Sequence, residues 1–313
     1  MEPIRGIHHV TALCGDPQGN VDFYAGLLGL SLVKVTVNYD DPGTYHLYYG
    51  DAAATPGSIL TFFPWPSGAG GRAGAGQVGA TAFAVPPGAH GFWKARLEKA
   101  GTPVAFQERL GERALCFEDP DGMRLEIIEA RWATAPVAGP LSQEAAIRGF
   151  HSVTLWLDGR ERSARVLEDT LGLRPAGSEN DQCRYLFEGA GEQRIDLSCQ
   201  PGRPRGRPGR GTVHHVALRA PSQEGHAAWR ERLRASGLSA TPVIDRTYFR
   251  SVYFREPGGV LIELATDGPG FAIDEPAGSL GTSLKLPAWL EASRGSIAAK
   301  LPTFETPEGR WFP

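Results

Sequence analysis

The apolar positions of this chain fall into a pattern that recurs four times. Residues 6–13, GIHHVTAL, alternate apolar and polar side chains, the period of a half-buried strand. Phe23, Leu27, Leu28 and Leu30 follow at spacings of three and four, the period of a helix face. Three further strand-like runs complete the unit, the last introduced by a Pro-Gly turn. The same order returns from GQVGATAFAV (76–85), from GFHSVTLW (149–156) and from GTVHHVALRA (211–220). One offset carries Gly6 onto Gly149 and Gly29 onto Gly172. HGFWKARLEKAG (90–101) parallels HAAWRERLRASG (226–237), and EDPDGMRLEIIE (118–129) parallels REPGGVLIELAT (255–266). Gly29, Gly101, Gly172 and Gly237 close the helical runs, where a left-handed cap is expected.

The repeat predicts an α+β chain of four βαβββ modules, at about 5–65, 75–132, 147–200 and 210–268. Two halves, 1–135 and 147–270, are joined by the Pro- and Ala-rich stretch 134–146, and a tail, 271–313, packs on the body. One helix cannot cover both faces of a four-stranded sheet. Two modules side by side solve this as a curved, barrel-like, eight-stranded sheet with helices outside and a cavity within. The βαβββ repeat resembles the vicinal oxygen chelate superfamily, which includes glyoxalases, extradiol dioxygenases and small antibiotic-resistance proteins. That resemblance implies that metal and substrate share the cavity.

Neighbouring side chains on a strand point to opposite faces, so one His of each His-His pair is expected to face a metal. Aligning the first strands on a Gly-x-x-x-Val frame puts His9, Ala80, Ser152 and His215 in one column, and His8, Gly79, His151 and His214 in the next. The last strands place Phe62, Glu126, Asp196 and Glu263 in register. His9, His215 and Glu263 then form a set of two imidazoles and one carboxylate, the donors used by non-haem iron oxygenases. This set suits Fe(II), with Mn(II) as the alternative. Glu126 has no histidines in its column and is expected to be structural. Phe62 holds the position where glyoxalase-type isomerases carry a second acid. The first module is expected to pair with the fourth around the metal, and the second with the third around none. His151 would need a bulge to reach a ligand position.

The resemblance is closer than the superfamily. IHHVTALCGDPQGNVDFYAGLLGLSLVKVTVNYDDPGTYHLYYGD, DRTYFRSVYFREPGGVLIELAT, GFAIDE and SLGTSLKLP are similar to ring-cleaving dioxygenases acting on hydroquinones, over nearly the whole chain. The likeness implies Fe(II) held by His9, His215 and Glu263, with His8, Thr11, His214, Arg246 and Tyr253 as pocket residues. It implies a small dihydroxylated aromatic substrate, gathered with O2 at one metal, and ring opening between a hydroxylated carbon and its neighbour. Arg246 is a candidate to steady a developing anion or a partner in a surface ion pair. Tyr253 is either a donor to substrate or ordinary core. His8 and His214 are acid–base candidates or packing residues. Tyr45 and His46 are possible wall residues of the first module.

Composition narrows the picture without changing it. A net charge of −3 gives no reason to expect nucleic acid, and no apolar run reaches the roughly 18 residues of a membrane span. With no signal-peptide core at the N-terminus, the cytoplasm is the expected compartment. A homo-oligomer is compatible with all of this. Cys14, Cys116, Cys183 and Cys199 have no CxxC spacing and are expected to be free thiols. GAGGRAGAG (68–76) lacks the Lys-Ser/Thr of a phosphate loop and reads as a flexible linker, and PGRPRGRPGR (201–210) as a solvated turn. Two competing functions remain: another metal-dependent activity of the superfamily, such as isomerase or thiol transferase, and metal-free sequestration of an aromatic compound.

Overall fold

The computed structural model describes residues 2–131, 139–188, 193–220 and 222–313; residues 134–138 of the expected linker lie outside these. Module one comprises β1 (Ile7–Cys14), α1 (Pro17–Val21, continuing over Asp22–Leu27), β2 (Ser31–Asn38), β3 (Asp41–Gly50) and β4 (Ile59–Pro64). Module two has β5 (Gln77–Val85), α2 (His90–Lys99), β6 (Ala105–Arg109), β7 (Glu112–Glu118) and β8 (Arg124–Glu129). Module three has β9 (Phe150–Leu157), α3 (Glu161–Arg165, continuing over Val166–Thr170), β10 (Arg174–Glu179), β11 (Gln182–Leu186) and β12 (Arg194–Cys199). Module four has β13 (Thr212–Arg219), α4 (Gln223–Ala235), β14 (Ile244–Asp245), β15 (Phe249–Arg255) and β16 (Leu261–Pro269).

These strands make two eight-stranded sheets. One runs β14-β15-β16-β13-β1-β4-β3-β2 and the other β10-β11-β12-β9-β5-β8-β7-β6. The first module therefore pairs with the fourth through β1 and β13, and the second with the third through β5 and β9. The helices bury one face each against the outside of the sheets. Tyr24 of α1 packs on Phe62 and Tyr49 at centroid distances of 4.5 and 5.5 Å, and Trp93 of α2 is fully buried with Leu97. The four helix-end glycines all take positive φ.

Each of the four central strands carries a β-bulge. The β1–β13 register shifts between Ile7 and His9 and again between Thr11 and Ala12, which leaves His8 and His214 as the extra residues. The β5–β9 register shifts in the same two places, leaving Gly79 and His151. A bulge inserts one residue and re-aims its neighbours. The column His8, Gly79, His151, His214 is thus the bulge column. His151 does stand in a bulge, which its sequence surroundings do not disclose.

The last-strand register also differs from expectation. Glu263 lies opposite Ala217 on β13, two residues beyond His215, and Glu126 opposite Ala82, two beyond Ala80. Two beyond His9 is Thr11, and its partner on β4 is Thr61, not Phe62. Counting from the turn proline selects Phe62; counting from the turn glycine selects Thr61. The glycine is the physical landmark, because Gly57, Gly122 and Gly259 all hold positive φ, a conformation that costs glycine little.

The segment expected as a solvated turn is largely exposed, and it pairs along its backbone with the one expected as a flexible linker. Residues 69–76 run beside 204–210, with Arg72 and Arg207 exchanging backbone hydrogen bonds of 2.9 and 2.8 Å. A Cβ on Gly74 would lie 2.4 Å from the Pro204 oxygen, and one on Gly209 2.5 Å from the Ala69 oxygen. At these two positions glycine permits a close backbone approach. The tail clasps module one: Lys285 N donates to Val35 O, and the fully buried Lys34 bonds Asp274, Glu275 and the Phe271 carbonyl. All four cysteines are free.

Candidate metal centre

The metallated sheet was expected to converge on three side chains, and the strands bring them together. His9 on β1, His215 on β13 and Glu263 on β16 are each at most 5% exposed. His9 Nε2 lies 3.3 Å from His215 Nε2. Glu263 Oε2 lies 3.3 Å from His9 Nε2 and 2.9 Å from His215 Nε2. Among the described residues, this is the one set of three His, Cys, Asp or Glu side chains whose ligand atoms all lie within 4.8 Å of one another.

The donor set fits a divalent metal. A metal about 2.1 Å from two donors at near-right angles spaces them roughly 3.0 Å apart, close to the three separations here. Glu263 Oε2 is buried without a hydrogen bond of regular geometry, a costly state for a carboxylate oxygen that a cation would relieve. Its second oxygen accepts from Ser251 Oγ. Burial pushes the Glu263 carboxyl up, but the neighbouring His9 and His215 outweigh it and hold it well below the usual carboxylate range. Burial lowers His215 in spite of Glu263, which favours the neutral imidazole a metal needs.

The outer nitrogens are held by the two bulge histidines. His9 Nδ1 is 2.9 Å from His8 Nδ1, and His215 Nδ1 is 2.8 Å from His214 Nδ1. Burial holds His8 down to about 3 and His214 to about 4. The tautomer in which each accepts at Nδ1 puts the Nδ1 protons on His9 and His215 and frees their Nε2 lone pairs for a cation. Such partners fix the tautomer and orientation of a ligating imidazole.

A cavity of about 610 Å³ opens in front of these donors, lined by His9, Thr11, His46, Tyr48, His214, His215, Arg246, Phe249 and Tyr253 among others. That volume is ordinary for a small-molecule site. Arg246 Nε donates to Tyr253 Oη at 3.3 Å, and its Nη1 reaches Asp40 at 3.2 Å. The Tyr253 ring stands edge-on to His215 at 5.6 Å, and its phenol is pushed up by burial. Thr11 faces His215 across the ladder.

His8 is not in this cavity. Phe249 separates it from the metal side, its ring 5.2 Å from His8 and 5.0 Å from His9, and His8 lines a separate recess of about 290 Å³ behind it. Tyr45 bonds the Pro313 carbonyl under the tail, whereas His46 does line the cavity. Sequence reasoning missed Ser251, Phe249, Tyr48 and Thr61. The alternation Phe249, Ser251, Tyr253 on β15 carries the signal for the first two, since residues two apart share a face.

The second sheet places a cation where the first gathers donors. Arg109 forms a fork on Glu126, with Nη1 to Oε1 at 2.6 Å and Nη2 to Oε2, and it reaches Thr154 and Asp196. Arg184 forks Asp196 at 2.8 Å twice. His151 is held by Ser152 at 3.1 Å and Glu112 at 3.2 Å. Glu126 is therefore an acid neutralised by arginine.

Residues 6–127 and 149–264 each match the sequence profile of the Glyoxalase/Bleomycin resistance protein/Dioxygenase superfamily. The chain belongs to that superfamily. It is 47% identical over 305 residues to MhqO of Bacillus subtilis (strain 168), assigned by inference as a ring-cleaving dioxygenase, with 97% of each chain covered. It is 36% identical to the chlorohydroquinone/hydroquinone 1,2-dioxygenase of Sphingobium indicum, with 95% of each covered. A crystal structure of a B. subtilis protein, assigned by inference as a dioxygenase, superposes with a TM-score of 0.93 at 46% identity, covering 97% of this chain and 99% of that one. Glyoxalase I from Zea mays shares the fold, with a TM-score of 0.61 at 16% identity over 84% of this chain and 92% of that one. The chain is thus a homologue of ring-cleaving dioxygenases, and no helix among its described residues is long and apolar enough to cross a membrane.

Proposed function

We propose that this chain is an Fe(II)-dependent dioxygenase that opens a dihydroxylated aromatic ring, of hydroquinone or catechol type, with O2. The convergence of His9, His215 and Glu263, with both histidines in the wall of one cavity, carries the reading, and the names of the relatives support its substrate class. Iron at these residues would acidify a bound phenol and supply the electrons that make O2 reactive. The remaining work belongs to the protein. Phe249 backs the donors, and Trp65 and Pro208 contribute to the cavity wall, so the ring is held with part of its face away from water. Arg246 carries a permanent positive charge toward the cavity beside Tyr253 Oη, suited to the anionic oxygen that grows as the ring opens. His214 and Tyr253 present polar atoms on the same wall.

Thr61 stands where a second acid would be needed for glyoxalase-type isomerisation, which sets this reading ahead of that one. Mn(II) accepts the same donors. The deciding experiment is anaerobic purification with metal analysis, followed by O2 uptake with hydroquinone and with catechol. One iron per chain and O2 consumed in step with ring loss are expected. A metal-free protein that binds aromatics without consuming O2 would return the reading to sequestration.

A further inference from the structure

The cavity wall contains a continuous chain of hydrogen bonds that the metal donors do not use. Tyr48 Oη lies 2.8 Å from His46 Nδ1. His46 Nε2 lies 2.9 Å from Thr61 Oγ1. Thr61 Oγ1 lies 2.8 Å from Thr11 Oγ1. Thr11, His46 and Tyr48 line the cavity, whereas Thr61 is fully buried behind them. The chain therefore begins and ends at the cavity and passes through its wall between.

Counting protons shows what it can do. Each hydroxyl donates once, and a neutral imidazole donates from one nitrogen and accepts at the other. Burial favours the neutral forms of both His46 and Tyr48. With Thr61 donating to one of its two neighbours in the chain, two arrangements satisfy all three bonds. In one, every donor points from Tyr48 towards Thr11, and Thr11 has a proton left to give to the cavity. In the other, every donor points the opposite way, and the spare proton is on Tyr48. In both, Thr61 accepts from one neighbour and donates to the other, so passing between them turns the four groups over together.

We propose that Tyr48, His46, Thr61 and Thr11 form a proton relay that moves a proton between two points of the cavity during ring cleavage. The proposal rests on the dioxygenase reading. A ring hydroxyl beside Thr11 loses its proton to Thr11 Oγ1. Thr11 passes its own proton to Thr61, and Thr61 passes its proton to His46 Nε2. The proton on His46 Nδ1 goes to Tyr48 Oη, and the Tyr48 proton leaves to an oxygen acceptor in the cavity, water or product carboxylate. One O–H bond of the substrate breaks, one forms on the acceptor, and no relay member gains charge or changes oxidation state. The return step runs the other way and restores the arrangement with the spare proton on Tyr48. Thr61 is a positioning residue on this account: it touches no substrate, and it stands at the position Glu263 holds in the fourth module.

Thr61→Val keeps the shape and removes the link. In the iron-loaded full chain with hydroquinone as substrate, iron content and KM should stay within about twofold while kcat falls at least tenfold. The solvent deuterium effect on kcat should shrink, because several protons no longer move together. Thr61→Ser should restore both. His46→Phe added to Thr61→Val should cost little more, since a relay is broken once. Thr61→Val turning over at the parental rate with an unchanged isotope effect would overturn the relay. A second readout is independent of O2 chemistry. In the zinc-substituted protein, 15N spectra of His46 should show both neutral tautomers in exchange, and Thr61→Val should leave one. A single His46 tautomer in the parent, unmoved by hydroquinone, overturns the relay even where O2 uptake is normal. Exchanging tautomers in a protein that consumes no O2 keep the relay and remove the proposed function.

Discussion

Thr61 on β4 and Glu263 on β16 occupy the same position in their modules, each facing the residue two beyond the metal-column histidine. Duplication gave both modules a polar inward side chain at this point. One is a carboxylate set against two imidazoles, and the other a hydroxyl bonded to Thr11 and His46. The site is asymmetric because of this pair.

His9→Ala, His215→Ala and Glu263→Ala should each abolish tight iron binding, with a loss of two or more orders of magnitude in affinity. The fold should survive, since the two histidines face a cavity and Glu263 is a buried charge whose removal spares its desolvation. Metal analysis after gel filtration, with a circular dichroism spectrum, checks this. Full iron occupancy in His9→Ala would remove that residue from the donor set.

Arg246→Ala and Tyr253→Phe should keep iron and slow ring opening by roughly tenfold to a thousandfold, if their charge and hydroxyl act on the developing anion. Single-turnover O2 consumption separates this from weaker binding. Unchanged turnover in both would leave the Arg246–Tyr253 bond a structural one.

The second sheet should respond as a protein core does. Arg109→Ala leaves Glu126, fully buried, without its fork, and should cost about 3–5 kcal/mol. Replacing the pair together, Arg109→Met with Glu126→Leu, should recover most of that. Urea unfolding measures both, and a single variant as stable as the parent would refute the assignment.

Acid should loosen the same region. Burial raises the Glu112 carboxyl, but its bond to His151 and the charges of Arg184 and Arg194 prevail and bring it to about 2. A folded value below the ordinary 4.5 means stability that is complete above about pH 4.5 and lost as pH falls toward 2. The amount is about 2 kcal/mol after allowance for its partial exposure. Glu112→Gln should flatten the stability profile across that window.

The fourfold repeat and the pairing of modules were legible because strand alternation, helix spacing and the Leu-Gly-Leu endings recur at a fixed offset. The His9, His215 and Glu263 column was legible for the same reason. Bulges leave no compositional trace, so sequence could not show that His8, Gly79, His151 and His214 are inserted residues. Nor could it show that Phe249 closes His8 off from the cavity. The Phe62 register failed because the first module's turn is Pro-Gly-Ser, one residue shorter between proline and strand than Pro-Gly-Gly or Pro-Asp-Gly. Gly74 reads as flexible because composition does not distinguish a mobile glycine from one pressed against a neighbouring backbone.

The last prediction separates the two sheets. His215 and Glu263 lie in the C-terminal half, but β13 pairs with β1 from the first module, and β1 brings His9. The isolated stretch 145–313 retains two donors and an unpaired β13 edge, so it should not bind iron tightly. In the full chain, His151→Ala should keep both metal and most activity, because His151 faces Ser152 and Glu112 in the other sheet. Its bulge places it in the column of His8 and His214, which bond His9 and His215 from outside the donor set. Iron analysis of the half chain beside His151→Ala and His9→Ala decides the matter. Tight iron in the half chain, or loss of iron in His151→Ala with His9→Ala unaffected, would move the centre to modules three and four and undo the pairing on which the donor set rests.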